Sequence, residues 1–186
     1  AYITNPTDAP LILLFHQAGW SRGEYREIAP KLNKLGYNCL AVDLRSGENV
    51  NKTDNETNKE AKKAKKPTNH PDAYPDMEAA LRYARAQYTP KKLIVWGSSY
   101  SSSLALVLAS ENKNTVDGVI AFSPGEYFAR FGKSETYVQQ AASKLTMPVF
   151  VTSARKEYEQ WKVMYNVIPS AKKEYFVPRT DGNHGS

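Results

Sequence analysis

Apolar positions along this chain come in blocks. Residues 10–16 (PLILLFH) form one apolar run, 37–44 (YNCLAVDL) a second and 91–96 (KKLIVW) a third. Residues 116–122 (VDGVIAF), 148–153 (PVFVTS) and 173–178 (KEYFVP) continue the series. Short runs without a period of two, bounded by turn residues, predict strands buried on both faces. The intervening segments have a different rhythm. In 24–37 (EYREIAPKLNKLGY), Ile28, Leu32 and Leu35 recur at helical spacing, and Gly36 is a stop signal. In 71–88, Met77, Leu81, Ala84 and Tyr88 share one helix face, with Asp72 as a candidate cap. Residues 103–110 (SLALVLAS) and 157–168 (EYEQWKVMYNVI) predict two more helices.

Strands alternating with helices, each strand apolar throughout, predict an α/β fold. The expected architecture is a three-layer α/β/α sandwich with a mainly parallel sheet of about six strands and right-handed crossovers. The length of 186 residues fits a single domain over 1–186. Residues 45–70 read as a long polar loop, a length that marks a functional or mobile segment. Together with 123–146 they are the expected pocket walls or cap.

Charge alters this picture little. The formal net charge is +6, and the run KEAKKAKKP at 59–67 carries much of it. No aromatic residue interleaves with those lysines, so the run reads as a solvated loop or short helix and not as a nucleic-acid platform. The single cysteine, Cys39, excludes an internal disulfide and sits in an apolar run as a small buried hydrophobe. No apolar stretch reaches the roughly 20 residues of a membrane span. No signal-peptide pattern stands before the first strand, and the chain begins with Ala1, as in a processed product, which leaves the compartment open. Three scattered histidines and one strand cysteine give no metal-ligand spacing, and no phosphate-loop or dinucleotide fingerprint is present.

The candidate chemistry lies in LIVWGSSYSSSLAL, residues 93–106. Here a predicted strand turns sharply into a helix, the setting in which G-x-S-x-G presents a serine at a sheet's edge. At the apex of such a turn, the residues two before and two after approach closely and must be small. Ser99 meets that test, flanked by Gly97 and Ser101. Ser98 fails it through Trp96 and Tyr100, while Ser102 and Ser103 lie within the helix. A neutral serine needs a base within hydrogen-bond reach, and the base needs an orienting carboxylate. The motif order of serine, acid, histidine selects His184 in the final loop as base. After the fifth strand the candidate acids are Glu157 and Glu159, with Glu157 favoured by position. Asp181 is a weaker alternative. An oxyanion needs preorganised donors. One is the backbone N–H of Tyr100 at a helix start, and the other is the N–H of Gln17 or Ala18 after the first strand. His16 shapes that loop or, with Trp20, lines the substrate pocket.

Taken together, FHQAGWSRGEY (15–25), AVDLRSG (41–47), WGSSYS (96–101) and GNHGS (182–186) resemble the α/β-hydrolase superfamily. The likeness is to compact bacterial dienelactone-hydrolase-like proteins and small serine esterases. It spans nearly the whole chain and implies a minimal α/β-hydrolase fold, a serine nucleophile and no cofactor. Some positions depart from the pattern. Gln17 stands where many members have glycine, Ser101 replaces the last elbow glycine, and the acid is Glu where Asp is more usual. Dienelactone hydrolases proper carry cysteine at the position of Ser99, so that activity is not implied. The expected function is hydrolysis of a small-molecule carboxylic ester by Ser99, His184 and Glu157. The alternatives are acyl transfer or peptide hydrolysis by the same residues, or a non-catalytic binding module on this scaffold.

Overall fold

The apolar run at 11–15 makes a strand with every residue buried, β1 (Leu11–Phe15). The computed structural model describes residues 1–186, which fall into two units, Ala1–Ile94 and Val95–Ser186. In the first unit, β1 pairs in parallel with β2 (Asn38–Val42), in register from Leu11 opposite Asn38 to Phe15 opposite Val42. A 3-10 turn (Arg22–Tyr25) and α1 (Ile28–Lys34) make the crossover. The helix stops where Gly36 takes φ +92°, a conformation open to glycine and strained for other residues. Leu35 therefore falls beyond the last turn and is 73% exposed, not on the apolar face its spacing suggested.

The polar stretch 45–70 is more structured than the expected long loop. β3 (Asn49–Val50) and β4 (Thr53–Asp54) form a two-residue hairpin, with Asn51 and Lys52 both at positive φ, as the twist of a tight hairpin requires. Asn55 then caps α2 (Glu56–Lys63), its side chain accepting the Asn58 N–H at 2.8 Å. The lysine run decorates this helix and is largely paired. Lys59 meets Asp54 and Glu56, Lys62 meets Glu48, and Lys63 meets Glu60. A 3-10 turn (His70–Ala73) precedes α3 (Tyr74–Gln87), which buries Met77, Ala80, Leu81 and Ala84. Asp72 accepts the Asn69 N–H at 2.7 Å and so closes that turn, instead of capping α3. Tyr88 lies just past the helix end. At the start of α3, Asp76 receives a bidentate Arg45, at 2.9 Å from Nε and 2.5 Å from Nη2.

The second unit carries the rest of β5 (Leu93–Ser98), then α4 (Tyr100–Glu111), β6 (Gly118–Phe122), α5 (Tyr137–Ala142), β7 (Val149–Thr152), α6 (Tyr158–Asn166) and β8 (Lys173–Phe176). α5 lies in 123–146, where the apolar pattern predicts no helix. The main sheet has six parallel strands in the order β2-β1-β5-β6-β7-β8, with helices flanking it. β8 is an edge strand, and there the expectation of strands apolar on both faces fails. Tyr175 and Phe176 are about half exposed. The register aligns Phe122, Thr152 and Phe176, so the segments after β6, β7 and β8 leave the sheet at a common carboxyl edge.

Candidate active site

Gly97 ends the apolar part of β5 because the chain doubles back onto it. A Cβ there would lie 2.4 Å from Ser101 O and 2.5 Å from Ser102 N, far inside van der Waals separation. One residue, Ser99, separates β5 from α4, and it holds φ +58° and ψ −129°. That left-handed conformation is strained for a residue with a Cβ. Neighbouring hydroxyls hold the corner. Ser101 Oγ donates to Ser98 O and accepts the Ser98 N–H, both at 2.9 Å. This explains a serine where the pattern has glycine: the side chain is short enough to fit and staples the turn. Ser102 Oγ donates to Ser99 O at 2.6 Å, and Ser103 Oγ donates to Gly125 O at 2.7 Å. These three serines serve the backbone, while the Ser99 side chain turns outward.

The Ser99 hydroxyl lies 2.7 Å from His184 Nε2. His184 Nδ1 in turn lies 2.6 Å from Glu157 Oε1. The three side chains follow β5, β7 and β8 at the shared carboxyl edge, so the parallel sheet brings together residues 85 positions apart. The carboxylate side chain is 13% exposed and the imidazole 41%. Glu157 is in reach because a 3-10 turn (Arg155–Glu157) intervenes between β7 and α6. Just beyond it, in the first turn of α6, Glu159 points to solvent and pairs with Lys162. Asp181 bonds through its carbonyl oxygen to the Arg155 N–H at 2.8 Å, which pins the histidine loop to the acid-bearing turn. In that loop Gly182 takes φ +67°. An open cleft of about 650 Å³ adjoins the pair on the acid side, lined by Ala154, Lys156, Glu157, Asp181, Asn183 and His184.

Two further residues complete the surroundings. Ser123, following β6, donates from Oγ to Glu157 Oε2 at 2.7 Å. Tyr127 OH donates to Ser123 O at 2.7 Å. Burial, reinforced by the charge of Glu157, pushes the Tyr127 phenol up to about 12, so it stays a neutral donor. Neither residue stands out in the sequence for this role. Tyr127 falls in the 123–146 segment expected to wall or cap the pocket, and its neighbour Phe128 is a core residue with no exposure. The available signal was position: Ser123 stands at the carboxyl end of a predicted strand.

Residues assigned to the loop after β1 fare differently. The Gln17 N–H donates to Glu24 Oε2 at 2.7 Å, so it is committed within its own unit. The Tyr100 amide lies at the start of α4, directly after Ser99. His16 does not line a pocket. It is fully buried, accepts the Leu44 N–H on Nε2 at 2.8 Å and donates from Nδ1 to Gln17 O at 2.8 Å. Burial holds its pKa down at about 4, so the ring is neutral and fastens the loop to β2's continuation. Trp20 is 37% exposed, and its carbonyl accepts the Glu48 N–H and the Asn55 side-chain amide. No trio of His, Cys, Asp or Glu side chains is arranged to hold a metal ion, and no helix is long and apolar enough to cross a membrane.

An open parallel sheet with a strained serine between a strand and a helix, facing an imidazole, defines a class of α/β fold. The family model for the alpha/beta hydrolase fold matches residues 10–156, and the chain belongs to that family. Among solved structures it is similar to Est1E from Butyrivibrio proteoclasticus, determined with ferulic acid bound. That match has a TM-score of 0.73 at 16% identity and covers 97% of this chain and 84% of that one. The esterase Pf2001 from Pyrococcus furiosus matches with a TM-score of 0.71 at 21% identity, covering 97% and 76%. A dienelactone hydrolase from Anabaena variabilis matches at 0.71 and 16%, covering 96% and 78%. No curated protein sequence matches the chain.

Proposed function

We propose that this chain is a serine hydrolase of carboxylic esters, acting as a single α/β-hydrolase domain over 1–186. The observation that carries the reading is the continuous relay from Ser99 through His184 to Glu157, at 2.7 and 2.6 Å. In the forward step His184 Nε2 takes the Ser99 proton as Oγ attacks the ester carbonyl. The imidazolium formed is stabilised and held in orientation by Glu157. The negative charge that develops on the carbonyl oxygen faces the Tyr100 N–H at the start of α4, where the helix dipole adds to the hydrogen bond. The alkoxide leaves with the proton returned by His184, and water then releases the acyl group by the same relay in reverse. The likeness to a structure named as an esterase, Pf2001, favours an ester over an amide substrate.

The test is activity-based labelling with a fluorophosphonate, run beside turnover of p-nitrophenyl esters of graded acyl length. The unsubstituted chain labels and turns over, and Ser99→Ala does neither. Ser99→Ala and His184→Ala lower kcat by about 10⁶-fold, and Glu157→Gln by about 10⁴-fold, the pattern of a unit whose acid is the least costly loss. Undiminished labelling of Ser99→Ala sinks the assignment.

A further inference from the structure

Ser123 takes no part in the proton relay, yet the relay's supports converge on it. Its hydroxyl has one hydrogen to give and two lone pairs to offer. The hydrogen goes to Glu157 Oε2 at 2.7 Å, and a lone pair accepts the Gly185 N–H at 3.0 Å. Its own N–H donates to Thr152 O at 2.7 Å, and its carbonyl accepts Tyr127 OH at 2.7 Å. The residue is 1% exposed. One oxygen atom thus touches both the acid and the residue next to the base.

A carboxylate held through one oxygen still turns about its last bond. Glu157 gives Oε1 to His184, and Ser123 on Oε2 fixes the carboxylate plane. His184 sits on the terminal loop, and the bond from Gly185 keeps that loop over the sheet edge. The backbone gives no reason for serine here. Ser123 has φ +54°, where glycine rests without strain and a residue with a Cβ does not. What serine adds over glycine is the hydroxyl.

We propose that Ser123 is a positioning residue that couples the acid to the histidine loop, an inference that rests on the serine-hydrolase reading. The test is Ser123→Gly, which removes the hydroxyl and relieves the backbone; Ser123→Ala serves as a second variant that keeps the strained Cβ. Two measurements are made on each. The first is steady-state turnover of a p-nitrophenyl ester. In Ser123→Gly, kcat falls about 10- to 100-fold, the scale of a hydrogen bond to a charged group. KM stays within about twofold, because the residue does not touch substrate. The second is the far-downfield proton resonance of the His184 Nδ1–Glu157 hydrogen bond, which moves or disappears in both variants. A kcat within about twofold of the parent, or an unmoved resonance, overturns the proposal. Should the parent chain prove inert toward esters and fluorophosphonate, the hydrolase reading falls, and the resonance still decides whether Ser123 orders the pair.

Discussion

At Gly97 one added carbon would meet Ser101 O at 2.4 Å. That distance converts a sequence rule into a steric fact, and it makes a prediction. Gly97→Ala cannot keep the corner as it stands, because the obstruction is backbone and not a flexible side chain. Overpacking of this kind costs about 1–3 kcal/mol. The expected outcome is a lower Tm together with slower fluorophosphonate labelling of Ser99; an unchanged labelling rate contradicts the argument. The juxtaposition of Ser99 and His184 follows from the same sort of restriction. A tight turn restricts its neighbours, and motif order restricts the partners. Ser123 was not legible, because its role arises only when β6 and β7 lie side by side and bring it to Glu157. For His16 the sequence leaves two roles open, shaping the loop or lining the pocket, and its burial with hydrogen bonds to Leu44 and Gln17 fits the first.

Among the helices, α4 is the most enclosed. Eleven of its twelve residues are buried, so it behaves as a core helix. Its hydroxyl residues remain inside because their hydrogens go to backbone carbonyls, as at Ser102 and Ser103. Leu108 has no exposure. Leu108→Ala should therefore cost about 2–5 kcal/mol, read as a lower urea midpoint with an unchanged slope. Where the apolar signal was strong, as a helical period in α3 and a continuous run in β1, the element followed the sequence closely. Where polarity masked local signals, it did not. The hairpin at 49–54 and the cap at Asn55 rest on backbone geometry and a side-chain hydrogen bond, and neither leaves an apolar pattern.

For the whole molecule, the buried neutral imidazole of His16 links stability to acidity. Its pKa is about 4 when folded, against 6.5 for the free side chain, so between these values the unfolded chain binds more protons. The contribution is complete above pH 6.5 and is lost as pH falls toward 4, and it amounts to roughly 3 kcal/mol. Urea unfolding followed from pH 7 down to pH 5 should show a falling midpoint. In His16→Asn, which cannot titrate, that part of the slope should vanish. A parent midpoint that stays level over this interval refutes the linkage.

The sequence by itself determined the alternation of buried strands and helices, the serine at the turn and the order of its partners. Each follows from local sterics or from apolar content, which neighbours in sequence carry. The tertiary structure alone decided which carboxylate meets His184, that β8 forms an edge, and that Ser123 joins the acid to the final loop. Those outcomes depend on which strands become adjacent and in what register. Such pairings form between residues far apart in sequence, and no short stretch of the chain encodes them.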